Sequence, residues 1–208
     1  LMGTPMPSYE GQVTEEDIWH LANFVRSLSP DQMPEIATVL RAHRTDGALP
    51  TSPGDPQWSQ APAFSYPLVG QITQAPRNFT PTLDSIAVRA LFNDEDLALL
   101  LTWDDRSENL VAEGEKTLDA VAVQFPETIP SGSVRPSFLE GEPGRPVNLW
   151  RWKADTGSPE GLTATGLETA RPQGPNSEAP EGEAVYANGQ WSLVLRRSLA
   201  TRDSDRQI

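Results

Sequence analysis

The sequence predicts a mainly β protein, an antiparallel β-sandwich preceded by a short helical piece and a linker. From about Phe64 onward, short β-like runs alternate with turn signals: PLVGQI, SIAVRALF, LALLLTW, DAVAVQF, VNLWRW, EAVYA and WSLVLRR. No helical periodicity comes between them, as expected for an antiparallel sandwich. Twenty prolines and fifteen glycines among 208 residues, with 37% apolar residues, favour short strands and frequent turns over long helices.

Taken in chain order, residues 14 to 28, TEEDIWHLANFVRSL, read as a helix. Thr14 is its N-cap, Asp17 stands three residues on, and Glu15 and Glu16 complement the positive end of the helix dipole. Ile18, Leu21, Ala22, Val25 and Leu28 recur at helical spacing and need a partner surface, since a lone helix of this length is marginal in water. Residues 31–55 are polar and Pro-rich and read as a linker with a short helix between Met33 and His43.

Residues 56–208 hold the sandwich. Ile86, Val88, Ala90 and Phe92 alternate, so one face of that run is buried. Leu97 to Leu101 is apolar without interruption and predicts burial on both faces. Asn93-Asp94 makes the turn between these two runs, which pair as a hairpin. Ile86, Val88, Leu99, Leu101, Val121, Val123, Leu149, Leu193 and Leu195 are the expected apolar interior. Segments 126–146 and 155–182, dense in Pro, Gly, Ser and Glu, are expected as long loops.

The net charge of −13 argues against a nucleic-acid partner or an anionic membrane surface, both of which attract cationic patches. It suits a basic protein partner. No stretch approaches the roughly 20 apolar residues of a membrane helix. Cysteine is absent, which removes disulfides, thiolate ligands and thiol nucleophiles from this chain. No nucleophile elbow, zinc-binding HExxH, phosphate loop or dinucleotide fingerprint occurs, and the sandwich has no histidine to act as a base, so no enzymatic activity is expected. His20 and His43 both precede it.

Met6 stands between two prolines in GTPMPSY, one of three methionines in the chain. A thioether there is either a gap-filler beneath a helix or a soft axial ligand for haem iron, its loop held by rigid prolines. Trp150 and Trp152 alternate on one strand and share a face, with Trp103 expected on a neighbouring strand. They are a packed interior, the wall of a haem pocket, or a platform for a sugar ring. Asp94, Glu95, Asp96, Asp104 and Asp105 are a solvated rim, or a calcium site if the strand ends approach each other.

The stretch GTPMPSYEGQVTEEDIWHLANFVRSL resembles the last segment of a class I cytochrome c. The resemblance covers about the first thirty residues. It implies that Met6 is the axial ligand of a haem c and that Phe24 is the aromatic of the terminal helix, with the haem attachment residues lying upstream of Leu1. Residues from about Asp55 onward resemble the haem-binding domain of the ethylbenzene dehydrogenase and dimethyl sulfide dehydrogenase gamma subunits. SIAVRALFNDEDLALLLTWDD, DAVAVQFP, PSFLEGEPGRPVNLWRWKAD and GQWSLVLRRSL carry it. That resemblance implies a sandwich akin to a carbohydrate-binding module, holding a b-type haem between a methionine and a lysine and relaying electrons from a molybdenum enzyme.

The family's methionine slot falls at Glu140, before Gly141, and its lysine finds no match. Lys116 and Lys153 are the only lysines of the chain. A b-type haem is therefore not expected within these residues. The expected function is electron transfer by a subunit of an extracytoplasmic, periplasmic complex, whose partners are redox subunits such as a molybdenum enzyme or a larger membrane complex. The alternative is a non-haem docking or carbohydrate-binding module.

Overall fold

The computed structural model describes residue 14 and residues 35–36, 39–73, 77–79, 81–111, 117–128, 134–174 and 177–200. The chain divides into two units, Leu1–Met33 and Pro34–Ile208, and every described residue except Thr14 belongs to the second. The predicted helix over 14–28, with Met6 and Phe24, lies outside the described residues.

The described residues are mainly β. Strands β1 (Glu35–Ile36) and β2 (His43–Arg44) come first, followed by a short 3-10 helix at Pro56–Gln60 and β3 (Phe64–Pro67). After these come β4 (Ser85–Phe92), β5 (Asp96–Asp104), β6 (Ala120–Pro126), β7 (Val147–Lys153) and β8 (Glu160–Ala164). The last are β9 (Arg171–Pro172), β10 (Ala184–Ala187) and β11 (Gln190–Ser198).

These make two sheets. The larger has seven strands in the order β1-β3-β4-β5-β11-β10, with β2 also on β4, and the smaller is β6-β7-β8-β9. The small sheet is antiparallel throughout, whereas β1 on β3 and β2 on β4 are parallel. The spine of the large sheet is β5 against β11, paired from Gln190 opposite Asp104 to Ser198 opposite Asp96. The predicted β4–β5 hairpin forms as expected. The Asn93 carboxamide oxygen accepts the N–H groups of Glu95 and Asp96 at 2.9 and 2.6 Å, closing an Asx turn.

Alternation along the strands builds three buried clusters. Val88 and Ala90 of β4, Leu99, Leu101 and Trp103 of β5, and Trp191, Leu193 and Leu195 of β11 face Trp150 and Trp152 of β7. The apolar faces of the two sheets thus share one core. The other face of the large sheet is covered by Leu49, Trp58 and Ala61, which pack on Leu91, Ala98, Leu100 and Val194. That cover is why Leu97 to Leu101 is apolar without a break. The expected interior residue Leu149 points the other way from Trp150 and joins Val147, Leu162 and Ala164 in a third cluster.

Several elements differ from expectation. The segment read as a linker with a helix between Met33 and His43 carries β1 and β2 instead, which add to the large sheet. Two-residue edge strands have no periodicity by which a sequence could announce them. Strand β3 ends where the run PLVGQI was expected to begin, since Phe64 and Tyr66, not Leu68 and Val69, find partners on β4. Strands β8 and β9 arise inside a segment read as loop, because β7 needs a neighbour on its second edge.

Removing the residues before Pro56 is accordingly expected to destabilise the domain. Leu49 is lost from its cluster, worth about 1.5–3 kcal/mol. The Arg196 guanidinium loses the Leu49 carbonyl, and the Glu183 N–H loses that of Thr51. Urea denaturation of residues 34–208 against 56–208 measures the difference, and equal midpoints would make the segment dispensable.

Candidate cofactor-binding region

The residues between the two sheets lie in layers set by strand register. At one end, Trp103 and Trp191 are directly paired across β5 and β11, with ring centroids 6.2 Å apart. Trp152 approaches them from the small sheet at 6.3 and 4.8 Å, and Tyr186 packs on Trp191 at 5.2 Å. The Trp191 indole donates to the Asp119 carboxylate at 3.0 Å, and the Tyr186 hydroxyl to the Asp105 carbonyl at 3.0 Å. One layer on, Trp150 packs against Phe125 at 4.7 Å. Trp103 is therefore not on a strand neighbouring β7, as expected, but in the facing sheet.

Trp150 and Trp152 are 0 and 1% exposed. A sugar ring stacks only on an aromatic face that solvent can reach, so these two cannot serve as a carbohydrate platform. Neither indole N–H has a hydrogen-bond partner among the described residues.

The far end of the same interior is polar. Asn148 of β7 and Arg197 of β11 are both buried. A chain of hydrogen bonds joins them across the sheets: Arg197 donates to the Ser177 hydroxyl at 3.4 Å, Ser177 to the Gln173 carbonyl oxygen at 2.5 Å, and the Gln173 amide to Asn148 at 2.8 Å. Sequence reasoning passed over Asn148, Gln173 and Arg197. The signal was present in VNLWRW and VLRR, where a polar residue falls on the inward parity of each strand.

Glu140, the residue in the methionine slot, sits in a loop fastened to the small sheet. The Gln124 amide donates to the Ser137 carbonyl at 2.9 Å and its oxygen accepts the Glu140 N–H at 3.1 Å. The Glu140 carbonyl accepts the Gly166 N–H at 2.8 Å. Glu140 and Gly141 are both left-handed, with φ of 58° and 79°. A Cβ at residue 141 would stand 2.9 Å from the Arg145 carbonyl oxygen, so glycine is required there.

A Glu140 carboxylate buried beside a haem would need a compensating cation such as Arg145 or Arg151. Both are engaged elsewhere: Arg145 with Glu142 and Arg151 with Glu160, each at 2.7 Å. Lys153 lies 3.9 Å from Asp155. It is at the opposite end of β7 from the Glu140 loop, about 20 Å away at the rise of a strand. Glu140 and Lys153 therefore cannot flank one iron, and Lys116 lies outside the described residues. The described residues do not fit a b-type haem held by this pair.

The acidic groups do not converge. Asp94–Asp96 and Asp104–Asp105 stand at opposite ends of β5, about 27 Å apart, with Asp94 paired to Arg44 and Asp96 to Arg196. No group of three metal-ligating side chains occurs among the described residues. His43 is exposed on an edge strand.

Burial, and then the carboxylates of Asp105, Glu108 and Asp119, hold the Tyr186 hydroxyl above its usual pKa, and burial raises Tyr66. An acid whose folded pKa is raised stabilises the fold fully below its unfolded value, about pH 10, and that contribution is lost as pH rises through the folded value. Stability is thus expected to fall above about pH 10. Replacing Tyr186 with phenylalanine should flatten the decline in melts taken across that range. An unchanged slope would assign the decline to other groups.

Two β-sheets sharing an aromatic interior place this domain in the class of mainly β proteins. The ethylbenzene dehydrogenase family model matches residues 55–178. The chlorate reductase gamma subunit of Ideonella dechloratans is 30% identical over 175 residues, covering 82% of this chain and 70% of that one. The ORF7 product of Haloferax mediterranei, assigned as a haem subunit of a respiratory nitrate reductase, is 28% identical over 151 residues, 72% of this chain. This chain spans 52% of the length of the Haloferax protein. The chain belongs to the ethylbenzene dehydrogenase family.

Among the described residues, no helix is long and apolar enough to cross a membrane.

Proposed function

We propose that this chain is an electron-transfer subunit of an extracytoplasmic redox complex. In this reading, residues 1–30 close a cytochrome c domain, 31–55 lead out of it, and 56–208 form a β-sandwich of the carbohydrate-binding-module kind. The observation that carries the proposal is the family match over residues 55–178, joined to relatives named as gamma and haem subunits of reductases. Met6 would be the axial ligand of a haem c and Phe24 would lie in the terminal helix of that domain. Bound haem supplies a one-electron carrier. The net charge of −13 suits encounter with a basic redox partner.

A specific observation favours a scaffolding and docking role, not a second haem, for the two-sheet domain. The layers between its sheets are filled by Trp103, Trp150, Trp152 and Trp191, and the described residues place no axial pair there. A pyridine haemochrome spectrum and haem-stained gel of the full-length native product test both readings. The expected result is haem c without haem b. A stoichiometric haem b would restore a two-haem relay, and the absence of any haem would leave docking as the function.

A further inference from the structure

The end of the large sheet at which β4 begins and β5 ends carries two connections, residues 68–84 from β3 to β4 and residues 105–119 from β5 to β6. They emerge side by side, because Pro67 is opposite Ser85 on one edge of β4 and Thr102 opposite Ala87 on the other. On them stand Leu68, Val69, Ile72, Phe79, Leu110 and Val111, with exposures of 37, 88, 54, 74, 45 and 71%. Single apolar residues on a surface are ordinary, but four on one short connection, with two more on the connection beside it, are a feature of interaction surfaces.

The first connection is held in shape. The Leu68 N–H donates to the Asp84 carbonyl at 2.8 Å and the Asn78 N–H to that of Gln71 at 2.7 Å. The Gln71 side-chain oxygen accepts the Thr73 N–H at 2.7 Å and its hydroxyl at 3.0 Å. Gly70 runs so close to the returning chain that a Cβ would lie 2.0 Å from the Asn78 carbonyl oxygen. The chain doubles back on itself and presents its apolar side chains on a fixed frame. Little ordering entropy is then left to lose on binding.

Charge is an independent observation. Residues 57–83 contain no Asp or Glu and a single Arg, Arg77, in a chain with 29 acidic residues and a net charge of −13. Asp84, Asp104, Asp105 and Glu108, with Arg106 as the one cation among them, follow at the borders of the two connections and leave that border net acidic. An apolar centre that carries a single charge, inside a net acidic rim, is the anatomy of a protein interface.

We propose that this end of the domain docks into an uncharged apolar groove, bordered by Lys and Arg, on a partner subunit of the redox complex. The proposal rests on the reading of the chain as such a subunit. Charge decides the occupant. A second copy would set this acidic rim against itself, and residues 1–33, with five acids and one Arg, are also negative. A cation-bordered groove complements the rim and leaves the apolar centre to be buried.

The test introduces Val69→Asp and Phe79→Asp, singly, into the full chain in its native host, followed by purification of the complex. Each carboxylate would be buried unpaired, so the affinity for the partner subunit is expected to fall about 100-fold, while circular dichroism and melting of the purified chain stay unchanged. Gly70→Ala, which distorts the frame and adds no charge, is expected to weaken the complex as well, and the wild-type complex to loosen with added salt. Intact complexes in all three variants would overturn the proposal. So would loss of a homodimer in place of a heteromeric complex, or release of residues 1–33 to protease. A variant that still sheds its partner when the protein carries no haem would keep the docking surface and remove the electron-transfer reading.

Discussion

Trp152→Ala is expected to lower the stability of the two-sheet domain by about 3–5 kcal/mol, the usual range for deleting a buried tryptophan. Trp152 is 1% exposed and packs from the small sheet against Trp103 and Trp191 of the large one. Alanine leaves a cavity bounded by rigid rings on both sides, and the strands cannot collapse into it without breaking the β5–β11 register. Trp152→Phe should cost far less, because it keeps an aromatic ring and removes an indole N–H that has no partner among the described residues. Urea midpoints at constant slope give both values. A phenylalanine variant as unstable as the alanine one would mean that the indole N–H has a partner in the assembled protein.

Met6→Ala is expected to have the largest effect on redox behaviour, as the proposed haem c ligand. Loss of a thioether ligand should abolish the weak near-infrared band of methionine-to-iron charge transfer and lower the reduction potential, since thioether ligation raises it. Histidine at the same position should return a low-spin spectrum at a lower potential. A spectrum and potential unchanged by Met6→Ala would remove this residue from the site and leave it the role of a gap-filler.

Both expectations start from residues that are visible in the sequence, but they depend on it to different degrees. Alternation in SIAVRALF, DAVAVQF and WSLVLRR specifies β4, β6 and β11 and the face each one buries, because side-chain direction along a strand follows the pleat. Asn93 specifies the β4–β5 turn through its own carboxamide. The uninterrupted run at Leu97–Leu101 announced a strand covered on both faces. These are local effects, settled within a few residues of chain.

What covers the second face was a tertiary decision: Leu49 and Trp58 come from a Pro-rich stretch with no periodicity and are buried only because β4, β5 and β11 offer an apolar surface. The same holds for β8 and β9, which gain their order from pairing with β7. Tertiary packing also separated Glu140 from Lys153 by the length of β7, and paired Arg145 and Arg151 with neighbouring glutamates. The sequence by itself determined which ligands this domain could offer, since its inventory of methionine, histidine and lysine is written in the composition. Only the tertiary structure decided whether two of them could meet, because the reach between side chains is set by strand register and not by order along the chain.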